Sequence, residues 1–113
     1  MNITTISDRI RQMAQTDPDR LCIVTDTQEL TYGQIWQESL HYAAALRSMG
    51  LKKGERVMVR CTQDAFFLIM DFACTLAGIV FVPFENEASA ERIMDIAAET
   101  EPSLCVGKIF RRR

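Results

Sequence analysis

The residues able to do chemistry in this 113-residue chain are few and scattered. Asp64 and Asp71 stand seven apart in an apolar run. Two carboxylates on one helix face can divide acid and base work when their surroundings drive their pKa values apart. The spacing favours a plainer arrangement, with Asp64 at a helix start, where the macrodipole welcomes negative charge. Asp71 then marks the one wet stripe of that helix. His41 is the only histidine and could serve as a general base near neutrality. At helical spacing it projects away from the apolar stripe, beside Glu38, as a surface side chain. No serine, cysteine or carboxylate is spaced to partner it. Glu85, Glu87 and Glu91 surround a loop and a helix start, where they could hold a hard cation or simply favour the helix dipole. The dipole reading is preferred.

Phosphate chemistry needs a glycine-rich turn that follows a strand and opens a helix. The five glycines, at 33, 50, 54, 78 and 107, assemble neither dinucleotide nor nucleotide-triphosphate loops. Lys52–Lys53–Gly54–Glu55–Arg56 follows a helix and opens a strand, so it reads as a solvated connection. Cys22, Cys61, Cys74 and Cys105 lie 39, 13 and 31 residues apart, with no Cys-x-x-Cys pair. Each sits in or beside an apolar run as a small hydrophobe, which suits a reducing compartment and gives no zinc site. The residues by themselves therefore nominate no catalytic, cofactor-binding or metal-binding position.

The elements that would position any site alternate between helix and strand. Residues 6–15 carry Ile6, Ile10, Met13 and Ala14 at helical spacing, with Thr5 and Asp8 available as caps. Asp17–Pro18–Asp19 stops that helix. Residues 21–25 read as a buried strand and 29–31 as a short one. Thr31 and Gln34 form a capping box for a second helix, whose inner face is Tyr32, Ile35, Trp36, Ser39, Leu40, Ala43 and Leu46. Gly50 ends it in the left-handed region. A strand over 56–61 precedes an almost wholly apolar helix over 64–77, then a strand over 79–82 closed by Pro83. A helix over 90–100 turns Ile93, Met94, Ile96 and Ala97 inward, and 104–106 is a last strand. The order implies an α/β fold with a mostly parallel sheet and flanking helices.

Composition narrows the function classes. Hydrophobic content of 48% and charged content of 25% describe an ordinary globular chain. Residues 1–107 hold nine basic against fifteen acidic groups, a net of −6, while Lys108, Arg111, Arg112 and Arg113 are basic. Such a body repels a phosphate backbone, which argues against nucleic-acid binding. The longest apolar run, residues 65–70, is far short of the roughly 20 residues of a membrane span. Without a signal-peptide pattern, the expectation is a cytoplasmic protein.

An ordered set of short motifs then carries a resemblance. It runs through Asp17–Pro18–Asp19–Arg20, Leu30–Thr31–Tyr32 with Ala43, Ala44 and Leu46, and Lys53–Gly54–Glu55–Arg56–Val57. It continues through Ala73–Cys74, Ala77–Gly78 and Val82–Pro83, then Ala90–Glu91–Arg92–Ile93 and Glu101–Pro102. The chain resembles the opening of the adenylate-forming, AMP-binding superfamily: acyl-CoA synthetases, fatty acyl-AMP ligases and peptide-synthetase adenylation domains. The resemblance implies that 1–107 is part of a larger N-terminal domain, and 108–113 a basic tail or truncation point. For a full-length parent it implies ATP, Mg and CoA, with a carboxylic acid activated as its adenylate and passed to CoA or a carrier-protein thiol. The family's phosphate loop, adenine contacts and catalytic lysine have no matching position here, so the chain itself is expected to bind no cofactor and to be inactive. The expected partners are the remainder of the ligase, or a second copy through an apolar surface left by the helix over 64–77. A free-standing α/β interaction module is the competing reading.

Overall fold

The computed structural model describes residues 6–62 and 64–107. In chain order the elements are α1 (Ile6–Thr16), β1 (Leu21–Val24), β2 (Glu29–Thr31), α2 (Tyr32–Ser48) and β3 (Arg56–Arg60). They continue with α3 (Ala65–Ala77), β4 (Val80–Phe84), α4 (Ala90–Thr100) and β5 (Leu104–Val106). The sheet is three-stranded and parallel in the order β4–β3–β5, so α/β is correct. β1 and β2 form a separate antiparallel ribbon. There the expectation of a buried strand fails: Leu21 and Val24 are 49% and 62% exposed, because a two-stranded ribbon covers one face at most.

The helix ends follow local chemistry. The Thr31 amide donates to Gln34 Oε1 at 2.8 Å, and the Gln34 amide donates to Thr31 Oγ1 at 3.1 Å, completing the capping box. At the other end of α2, Gly50 at φ +90° lets its own amide reach Arg47 C=O and the Leu51 amide reach Leu46 C=O. This reciprocal pairing is the Schellman stop. Gly78, at φ +76°, ends α3 in the same way: its amide donates to Thr75 C=O and the Ile79 amide to Cys74 C=O. Both stops turn the chain back toward a strand, which is why each glycine precedes one.

Two apolar clusters meet along α3. One joins Ala43 and Leu46 of α2, Val57 and Val59 of β3, and Met70, Ala73 and Cys74 of α3. The other joins Ile10 of α1, Ile35 of α2, and Ala65, Ile69 and Phe72 of α3. Thus α3 is wrapped by α1, α2 and the sheet. The expectation that α3 is too apolar for this chain to cover is corrected: of its large apolar residues only Leu68 is exposed, at 41%. On α2 the inner face is as expected, except that Leu40 is turned out.

The other face of the sheet is served differently. Right-handed crossovers that run in opposite directions along a sheet place their helices on opposite faces. The β3–β4 and β4–β5 connections do so, which puts α4 opposite α3. Arg56 and Arg60 alternate with Val57 and Val59 along β3; they donate to Thr100 C=O at the end of α4 and to Asn86 C=O in the connection that leads into it. No α4 residue is buried, and Met94, expected inward, is 71% exposed.

Candidate functional site

In open α/β sheets, ligands settle at the carboxyl ends of the strands where connections diverge to opposite faces. Here those ends are already occupied. The Arg60 guanidinium lies 5.1 Å from the centre of the Phe84 ring and donates to Asn86 C=O at 2.7 Å. The Cys61 amide donates to Phe84 C=O. Thr62 Oγ1 donates to Asp64 Oδ1 at 2.6 Å. The arrangement closes the strand ends with internal partners and, among the described residues, presents no convergent nucleophile and base.

The residues singled out in the sequence are not brought together. Asp64 caps the start of α3 with extended backbone, φ −144°. Asp71 lies about 10 Å further along the helix axis at 1.5 Å per residue, beyond reach of a shared proton. Burial raises the Asp71 carboxyl above its ordinary value. His41 is exposed and packs edge-on to the Tyr42 ring at 5.6 Å. Glu85 accepts from Arg92 Nε at 2.9 Å. Its carboxyl is held below its ordinary value, first by its own backbone amide and then by Arg92. Glu87 and Glu91 are exposed, and among the described residues no group of three His, Cys, Asp or Glu is placed to hold a metal.

The Lys52–Arg56 turn spends its amides internally: Gly54 donates to Gly78 C=O at 2.9 Å and Glu55 to Lys52 C=O at 3.0 Å. A cradle needs those donors free, so the turn is a brace between two connections. The cysteines are separate, free thiols. Burial, with help from the Asp71 charge, pushes Cys74 up to about 11, far from a reactive thiolate. Burial also raises Cys22, against the lowering effect of a hydrogen bond with Tyr32. Lys108 and Arg111 to Arg113 lie outside the described residues.

Sequence reasoning did not find the two clefts that flank α2. One, of about 410 Å³, opens between the α1–β1 connection and the start of α2, against Pro18, Asp19, Gln34, Trp36 and Glu38. The other, of about 290 Å³, lies between β2, α2 and the start of α3, against Leu30, Glu38, Tyr42, Phe66 and Ile69. Trp36 lies on the inner face of α2, as the period indicates, but is only half-buried and also lines the first cleft. Its size was the signal, since tryptophan is seldom covered completely.

Residues 10–112 match the family model described as AMP-binding enzyme. The chain is 30% identical over 97 residues to the D-alanine–D-alanyl carrier protein ligase of Bacillus licheniformis, covering 86% of this chain and 19% of that protein. It is 30% identical over 102 residues to the 2-succinylbenzoate–CoA ligase of the same organism, covering 89% of this chain and 21% of that protein. The N-terminal subdomain of Klebsiella oxytoca NpsA superposes with a TM-score of 0.85 at 20% identity, over 97% of this chain and 29% of that one. The chain thus spans about a fifth of the length of these ligases. It belongs to the AMP-binding enzyme family, as a fragment corresponding to the N-terminal portion of an adenylate-forming ligase.

Proposed function

We propose that this chain is scaffold for a longer AMP-forming ligase and is inactive by itself. The reaction of that ligase joins a carboxylic acid to AMP from ATP, releases pyrophosphate, and passes the acyl group to a thiol of CoA or a carrier protein. ATP, Mg and CoA belong to the complete enzyme in this reading, and this chain contacts none of them. The observation that carries it is the family match over 10–112 by a chain only a fifth as long as its relatives. The internal use of the turn amides and strand ends supports it, because those groups are spent on holding the fold.

Exchange of labelled pyrophosphate into ATP, assayed with a panel of carboxylic and amino acids, tests this directly. Background exchange is expected for the purified chain. Exchange above background that depends on one acid and on added Mg²⁺ would overturn the inactivity.

A second reading is an interaction module that pairs with another polypeptide or with itself. The exposure of Met94 (71%), on a helix flanking the sheet, and Val80 (46%), on its edge strand, favours it, since both are apolar side chains. Sedimentation equilibrium across a hundredfold concentration range separates the two. A monomer throughout leaves no role for self-pairing.

A further inference from the structure

We propose that the larger cleft beside α2 is a binding site for an organic cation, an ammonium or guanidinium group, a role separate from the scaffold function above. The cleft, of about 410 Å³, is open to solvent, has room for a small group, and is lined by Trp36, Asp19 and Glu38. Among the described residues those two carboxylates are the only charged groups on its walls. Neither forms an ion pair among the described residues; the neighbouring Arg20 is engaged by Asp17 at 3.8 Å.

The same geometry removes the opposite chemistry. A helix start usually offers free amides to an anion. At α2 the amides of Tyr32, Gly33 and Gln34 already donate to Arg20 C=O, Pro18 C=O and Thr31 Oγ1, at 3.0, 2.9 and 3.1 Å. No backbone amide of this helix start is left to hold a phosphate or carboxylate. An indole face attracts cations more strongly than any other side-chain ring, and two carboxylates beside it add directional partners. The cation could come free in solution, or as an arginine or lysine side chain of a partner. The shared chemistry is the same.

Trp36 is the chain's single tryptophan, so one indole N–H resonance and one fluorophore report on this cleft alone. The experiment titrates the chain with N-acetylarginine amide, with its neutral isostere N-acetylcitrulline amide, and with a short arginine peptide flanked by leucines. The expected result is a saturable shift of the indole signal with arginine at millimolar concentration and none with citrulline. D19N and E38Q should each weaken saturation about two- to fivefold, the factor one exposed charge contact carries. E91Q, on α4, should leave it unchanged. Saturation by the free derivative assigns a small cation, and saturation by the peptide alone assigns a partner's side chain. Equal response to citrulline and arginine, or indifference to both D19N and E38Q while the folded indole shift persists, overturns the site.

Discussion

The two faces of the sheet are held by different physics. On the α3 face, Val57, Val59, Met70, Ala73 and Cys74 are removed from water and the helix is covered on three sides. On the α4 face, Met58 and Phe84 of the strands are buried but no helical residue is, and the helix is further secured by Arg56, Arg60 and the Arg92–Glu85 pair. Apolar burial is non-directional and scales with area, whereas exposed polar contacts each contribute little and are local. The first face should therefore unfold with the whole chain, and the second should open by itself at lower cost.

The largest expected effect tests the covered face. Ile35 is fully buried between α1 and α3, so Ile35→Ala should destabilise the chain by about 3 kcal/mol through lost transfer energy and a residual cavity. Met94→Ala, on the opposite face, should stay within about 0.5 kcal/mol of the parent. Urea titration followed by circular dichroism measures both. Equal losses would abolish the distinction between the faces.

A sharper version addresses the tethers. Arg56→Ala removes the guanidinium that donates to Thr100 C=O at the end of α4. The loss should be about 1 kcal/mol, at the low end for a charge-assisted bond because the site is exposed. It should show as faster amide exchange within 90–100, with 65–77 unchanged. Acceleration across both helices would mean that α4 is part of the global unit.

The covered face also contains a flaw. Ser39 is fully buried in α2, and its hydroxyl has no hydrogen-bond partner among the described residues. An orphaned buried hydroxyl costs free energy, and alanine is the better helix former. Ser39→Ala should raise stability by about 1 kcal/mol, read as a higher urea midpoint at unchanged slope. A lower midpoint would show that the hydroxyl is satisfied in solution.

Most of the fold was legible in the sequence because its signals are local. Thr31 and Gln34 specify a cap by their own reach, and Gly50 and Gly78 a stop by positive φ. Pro83 was expected to close its strand and does not: β4 runs Val80–Phe84, with Pro83 opposite Val59 on an edge strand, where a missing amide costs no ladder bond. The face of α2 followed from period alone. What could not be read was coverage, because burial is decided by elements distant in sequence. Apolar residues surround most of the α3 wheel, so its period does not say what covers it, yet α1, α2 and β3 converge on it. On α4, Ile93, Ile96 and Ala97 are half-buried as the period indicates, whereas Met94 is left exposed at the margin of that face. The clefts share this origin: Pro18 and Trp36 meet only because the α1–β1 connection folds back on α2.

The smallest effect distinguishes the faces by sign. Asp71, on α3, has its folded pKa raised above the ordinary 3.8 by burial, so its contribution favours the folded state at low pH and is lost as pH rises through the raised value. Glu85, before α4, has its folded pKa lowered below 4.5, so its contribution is present above that value and is lost as pH falls through the lowered one. Acidification from neutrality to about pH 3 should therefore favour α3 through Asp71 and loosen the start of α4 through Glu85. Solvent keeps both contributions small, that of Asp71 under about 1 kcal/mol. Asp71→Asn isolates the first, with higher stability at pH 7 and a flatter pH profile. Glu85→Gln isolates the second, with amide exchange near Arg92 that no longer responds to acid. A shared direction of response in the two single variants would place both carboxylates under one global charge effect, and the sheet's two faces would then be one electrostatic unit.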